Sequence, residues 1–290
     1  MKSIAMNFGR SLSYRASLFV FGGLALLAGS CKKSSSGPNQ PSNSSYVSSV
    51  RAHTSQVQLV DSFTYDNAHR LTVFAQYDYD TTTGTPVSDG LIATFSYTGS
   101  SQLPASYTAV QLSNPANSDL HKLYFDGQNR IVKDTSISGS GYVNYFSYPG
   151  GNLVSKVLFD GTAGNDQVDT SFLSNGNISS QHIYYPNNAG TADSLSGAPQ
   201  YGYSSSLNPL YHTEIAGSVG LLLNLLAIDG YGGISDFVSP NAVNKESNLG
   251  NGIPAAYTLN FNLTSDSKGR VYLVGFSSPG GSSSILYTYY

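Results

Sequence analysis

Cysteine occurs once in this sequence, at Cys31, and a single thiol excludes both a disulfide framework and a zinc site built on thiolates. Charge is scarce too: charged residues make up 11% of the chain and the formal net charge is −3, so no basic field exists to draw in nucleic acid. No apolar run approaches the roughly 20 residues that a helix needs to cross a hydrocarbon core. The five histidines (His53, His69, His121, His182 and His212) are scattered, with no His-Glu-x-x-His spacing for a metal. The Gly-x-Ser-x-Gly elbow of serine hydrolases is missing, since Gly202-Tyr203-Ser204 lacks the second glycine. Gly150-Gly151 and Gly280-Gly281 read as turns, and no glycine-rich loop follows a strand and opens a helix to cradle a phosphate. Asp78-Tyr79-Asp80 with Gly84 and Asp89 makes a poor calcium loop, because its glycine is one place late and the bidentate Glu is missing; a polar hairpin loop is expected there. No cofactor is expected.

What is present begins with an address. Lys2, Arg10 and Arg15 precede an apolar run from Leu18 to Ala28, and the small residues Ala28-Gly29-Ser30 stand directly before Cys31. This is the order of an export signal ending in a lipobox: only small side chains fit before the cleaved bond, and the thiol that follows carries the lipid. Residues 1–30 are therefore set aside as signal peptide, and Cys31 is the expected lipidation site. Each buried acyl CH₂ contributes about 0.8 kcal/mol, so a multiply acylated cysteine holds a domain on a membrane with no spanning helix. Residues 31–46, rich in serine with asparagine and proline, have nothing to bury and read as a disordered tether. Residues 47–290 remain as a single domain. Lys32 and Lys33 follow the cysteine, with no aspartate to hold the chain at the inner membrane and no acidic cluster before Asp61. The expected place is the outer membrane, with the domain facing the periplasm.

Tyr (22), Phe (13) and Gly (30) are abundant, which suits short strands and turns. Leu123-Tyr124-Phe125-Asp126-Gly127-Gln128-Asn129-Arg130-Ile131-Val132-Lys133 reads as strand, turn, strand, and Asp126-Gly127 is expected to supply the positive φ of a tight turn. Variants recur with an aliphatic residue after the turn at Leu71, Leu103, Ile131, Leu153, Ile178 and Val271. In the fuller copies Asp66 precedes Arg70, Asp126 precedes Arg130 and Asp266 precedes Arg270, each pair placed to join across the hairpin end. A hairpin cannot bury its apolar face alone, so neighbours must add edge to edge. The expected fold is all-β: one open, curved antiparallel sheet of successive hairpins, with Val219–Ile228 as a short apolar helix or cap.

The pattern Tyr/Phe-Asp-x-x-x-Arg-aliphatic resembles YD repeats. With the lipobox, the Leu207-Asn208-Pro209-Leu210-Tyr211 element, Ser247-Asn248-Leu249 and the closing Asp266–Arg270 hairpin, the chain resembles the YD-repeat-like Gram-negative lipoproteins of domain-of-unknown-function family 4595. The resemblance spans about residues 57 to 290 and implies a β-rich fold of unassigned activity; several copies lack the Asp or the Arg.

Two functions follow as expectations. The first is a non-enzymatic envelope lipoprotein that binds or scaffolds a glycan or a protein, held to the membrane through Cys31. The second is a glycan hydrolase, which needs two carboxylates facing across a cleft; Asp126, Asp160 and Asp266 are its nominal candidates. Tyrosines could stack on sugar rings, although alternation places Tyr77 and Tyr79 on one face, where cross-strand packing already accounts for them.

Overall fold

The computed structural model describes residues 46–290 apart from 54–56, 81–82, 84–85, 117, 139–142, 159–166, 187–192, 212–238, 249–256 and 279–280. Four expectations fall outside that set: the signal peptide, the Cys31 anchor with its tether up to residue 45, Asp160, and the apolar segment Val219–Ile228; Tyr46, assigned to the tether, is described and buried.

The described residues form antiparallel strands in chain order. They are β1 (Val47–His53), β2 (Val57–Tyr65), β3 (Leu71–Asp80), β4 (Pro86–Tyr97), β5 (Pro104–Gln111), β6 (Ser118–Phe125), β7 (Ile131–Ser136), β8 (Val143–Ser147) and β9 (Leu153–Leu158). There follow β10 (Gln167–Ser174), β11 (Asn177–Pro186), β12 (Asp193–Gly197), β13 (Pro199–Leu207), β14 (Asn241–Asn248), β15 (Tyr257–Ser265), β16 (Val271–Ser278) and β17 (Gly281–Tyr289). Among the described residues the one helical element is a single 3₁₀ turn at Pro149–Gly151.

Apart from β12 and β13, each strand pairs with its neighbours in sequence, and β17 returns to pair with β1 from Val47↔Tyr289 to His53↔Ser284. The sheet is therefore closed, which corrects the open sheet expected from the sequence. β12 and β13 both lie beside β11, through Ile183↔Gly197 and Ser180↔Gln200, so they share one lane and the barrel has sixteen positions. Closure removes the two unpaired edges that an open sheet of this size would offer to other chains.

Hairpin chemistry sets one end of the barrel. In the β2–β3 turn the Asp66 N–H donates to the Arg70 carbonyl (2.9 Å) and the His69 N–H to the Asp66 carbonyl (2.9 Å); the Asp126–Arg130 and Asp266–Arg270 turns repeat both bonds. The left-handed residue is the fourth of each turn: His69 (φ 61°), Asn129 (φ 61°) and Gly269 (φ 77°). Positive φ thus falls on Asn129 and not at Asp126-Gly127, as the five-residue loop places it two residues before the returning strand. A register shift just before each turn, at Thr64/Tyr65, Tyr124/Phe125 and Thr264/Ser265, adds the bulge that closes this loop.

Alternation then separates two faces. Along β6, Asp119, His121 and Leu123 are buried while Ser118, Leu120, Lys122 and Tyr124 are exposed. Inward residues next to the hairpins form the apolar core, with Phe63, Phe74, Leu91, Ile131, Leu153 and Ile178 sealed from water. Each such side chain contributes roughly 1.5–3 kcal/mol by burial. Residues 46 and 290 lie at this same end, where the Tyr290 N–H donates to the Tyr46 carbonyl (3.0 Å).

Candidate functional site

Three arrangements carry chemistry: the hairpin latches, a polar layer inside the barrel, and the outer wall.

At each full repeat the aspartate holds its turn and its arginine together. Asp66 Oδ1 accepts the backbone N–H groups of Ala68 and Arg70, both at 2.9 Å, while its Oδ2 accepts Arg70 Nε at 2.7 Å and pairs with Nη2 at 2.7 Å. Asp126 with Arg130 and Asp266 with Arg270 have the same geometry. These bonds hold all three carboxyls below the usual carboxylate range: for Asp66 the largest cause is the Arg70 N–H bond, whereas for Asp126 and Asp266 the bonds overcome a larger desolvation. Each guanidinium lies over a tyrosine of the next strand pair, at 4.6 Å (Arg70, Tyr97), 4.1 Å (Arg130, Tyr148) and 4.2 Å (Arg270, Tyr289). Each tyrosine hydroxyl donates to the carbonyl after the arginine: Tyr97 to Leu71 (2.7 Å), Tyr148 to Ile131 (2.6 Å) and Tyr289 to Val271 (2.6 Å). Tyr203 makes the same bond to Ile178 (2.6 Å) where the repeat has lost its arginine. Burial pushes the Tyr97 hydroxyl up to about 12, and those of Tyr148 and Tyr289 up as well. These residues join one hairpin to the next.

Farther along the strands the inward positions turn polar. His121 is buried between two carboxylates, with Nδ1 2.8 Å from Asp134 Oδ1 and Nε2 3.3 Å from Asp119 Oδ2. Tyr107 stacks on the imidazole (centroids 4.5 Å apart, planes 15° apart) and donates its hydroxyl to Asp134 Oδ2 at 2.9 Å. Asp119 also accepts the hydroxyls of Ser136 and Ser138. Burial alone would depress the imidazole, but the hydrogen bonds and charges of Asp119 and Asp134 outweigh it and hold His121 at about 9, so it is an imidazolium at neutral pH. Around the same level Asp61 accepts from Gln76 Nε2 (2.9 Å), Gln181 donates to Ser171 (2.9 Å) and accepts from Tyr201 (2.8 Å), and Tyr257 donates to Glu246. Burial raises the Asp61 carboxyl to about 7, against the Gln76 bond and with help from the Asp78 charge.

Of the acids nominated for hydrolysis, the two described ones, Asp126 and Asp266, are not brought together. Asp126 and Asp266 occupy separate hairpins, each engaged with its own arginine. Asp78 and Asp80, expected in a polar hairpin loop, belong instead to strand β3. Among the described residues no group of three or more His, Cys, Asp and Glu side chains is placed to hold a metal ion. Sequence reasoning overlooked the Asp119–His121–Asp134 cluster, although its signal was present: Asp119 and His121 occupy alternate positions with Leu123 and so share its inward face.

The exposed strand residues are of two kinds: Leu120, Tyr124, Tyr145, Leu207, Tyr272 and Leu286 are large and apolar, and the others are mostly polar. Along β15 the exposed residues are Thr258, Asn260, Asn262, Thr264 and Ser265, and Lys122 and Lys245 project outward from mid-strand on β6 and β14. A membrane-spanning barrel has the reverse order, with an apolar band about 25 Å tall outside and a polar lumen.

No family model and no curated protein matches the sequence. Among solved structures, the chain is similar to a porin-like protein from Bacteroides uniformis at a TM-score of 0.53 and 15% identity, over 85% of this chain and 99% of that one. A porin-like protein from Bacteroides vulgatus matches at a TM-score of 0.45 and 14% identity, again over 85% of this chain and 99% of the other. The fold is a porin-like closed barrel.

Proposed function

We propose that this porin-like barrel is not a pore but a non-enzymatic envelope module that stands in water and is tied to the outer membrane through lipid on Cys31. The observation that carries the reading is the inverted chemistry of the barrel: Phe74, Leu91 and Ile131 sealed inside, Asn260, Asn262 and Lys122 outside. Placing Lys or Arg on the lipid face of a barrel costs about 2–4 kcal/mol at the bilayer midplane, and each polar row adds to it. Asp126 and Asp266, nominated for a hydrolase, are each engaged with their own arginine in separate turns, which supports binding or scaffolding of a glycan or protein over catalysis.

The anchor supports a periplasm-facing module at the outer membrane, with the hairpin end, where the tether enters β1, nearest the bilayer. The test is fractionation with binding. The wild-type chain should incorporate a palmitate analogue and sediment with outer membranes; Cys31→Ser should lose the label and become soluble. Protease added to intact cells should leave the domain whole, and a glycan array or envelope pull-down should yield a specific ligand. Steady conductance steps in planar bilayers would defeat the reading.

A further inference from the structure

One part of the outer wall gathers exposed apolar side chains on neighbouring strands. Of the eight large hydrophobic side chains that are exposed among the described residues, Leu120, Tyr124, Ile137 and Tyr145 lie on β6 and β8 or just past β7. Tyr124 pairs across the sheet with Lys133, and Lys133 with Tyr145, so the three form one row over three strands. With strands about 4.8 Å apart, the two tyrosines stand roughly 10 Å from each other. The Lys133 ammonium lies between them, 5.6 Å from the Tyr124 ring centre and 5.4 Å from that of Tyr145, and the Lys122 ammonium is 5.2 Å from Tyr124. Among the described residues neither lysine has a carboxylate within ion-pair distance.

We infer that this row binds an acidic polysaccharide, a chain of carboxylated sugars laid across β6, β7 and β8. The rings, 39% and 42% exposed, offer faces to the C–H sides of sugar rings, and the ammoniums set between them meet the carboxylates. A protein partner fits less well, because lysine is depleted from the cores of protein interfaces. An anionic bilayer fits less well too, since it is held by clusters of four to eight basic residues and two lysines are too few. The inference rests on the reading of the barrel as a water-facing binding module and names its ligand class.

The test uses the exported chain carrying Cys31→Ser, titrated with oligogalacturonate, with neutral maltohexaose and with phosphatidylglycerol vesicles. Oligogalacturonate should bind, more weakly as salt is raised, and maltohexaose should not. Lys133→Glu and the double variant Tyr124→Ala/Tyr145→Ala should each lose at least tenfold in affinity with an unchanged melting temperature. Tyr124→Phe/Tyr145→Phe and Tyr272→Ala, a change at an exposed ring on another strand, should bind as wild type. Absence of oligogalacturonate binding by the soluble chain, equal binding by all variants, or binding to vesicles alone would overturn the assignment. Insertion of the chain into the vesicles would overturn the reading beneath it as well.

Discussion

On strand β7, Ile131 and Asp134 are both fully buried and both point into the barrel, yet they hold it by opposite means. Ile131 sits at the hairpin end among Leu71, Leu123 and Leu153, where contact needs only shape. Asp134 sits one step farther from the hairpins and depends on His121 and Tyr107, each in one orientation. The apolar end tolerates small losses because its contacts are many and undirected. The polar layer does not, since removal of one carboxylate leaves the buried His121 charge only partly answered.

The largest effect is therefore expected at Asp134. Asp134→Ala should cost about 3–5 kcal/mol in chemical denaturation, because it leaves the buried His121 imidazolium one carboxylate short. Replacement of the cluster as a whole, Asp119→Leu with His121→Leu and Asp134→Leu, should recover most of that loss, since apolar groups of similar size often substitute for buried ion pairs at no cost. If the triple variant is as unstable as Asp134→Ala alone, the layer supports the fold in a way these pairings do not describe.

A second difference between the regions is their response to pH. The folded-state values of His121 (about 9) and Asp61 (about 7) both lie above their ordinary values, so both groups favour the folded chain when protonated. The Asp61 contribution is complete below the ordinary carboxylate value near 4 and fades as pH rises to about 7; that of His121 is complete below about 6.5 and fades as pH rises to about 9. Melting temperature should accordingly fall from pH 6 to pH 9. His121→Gln should flatten the upper part of that slope and Asp61→Asn the part below pH 7. The hairpin carboxylates act in the opposite sense, losing their contribution only as pH drops below the ordinary carboxylate value.

At the apolar end smaller changes are expected. Ile131→Val removes one methylene from a packed site and should cost about 0.5–1.5 kcal/mol. Tyr148→Phe leaves the ring beneath Arg130 but deletes the hydroxyl bond to the Ile131 carbonyl, for about 1 kcal/mol and a fall of roughly 2–4 °C in melting temperature. A much larger effect at Tyr148 would mean that the latches, and not the apolar core, secure this end.

Much of the hairpin end was legible in the sequence. Alternation around Asp126–Arg130 marked both strands, and an Asp ahead of an Arg marked which residues could join across the turn. The tyrosine latch was less visible, since Tyr97, Tyr148 and Tyr289 each belong to the hairpin after the one they secure. Closure left no local trace: Val47–His53 alternates in the same way whether its second edge meets Gly281–Tyr289 or solvent. That pairing joins residues more than two hundred positions apart and is decided by strand number and tilt. The polar layer was legible only in part. Asp119 and His121 showed by spacing that they share a face, but Asp134, Tyr107 and Ser136 reach them through register, which no local pattern states.

The central claim, that this porin-like barrel stands in water, is tested most directly by sedimentation of the Cys31→Ser chain in buffer without detergent. A single folded species with a β-rich circular dichroism spectrum is the expected result. A chain that stays in solution only with detergent, and enters lipid vesicles when the detergent is withdrawn, would contradict the account.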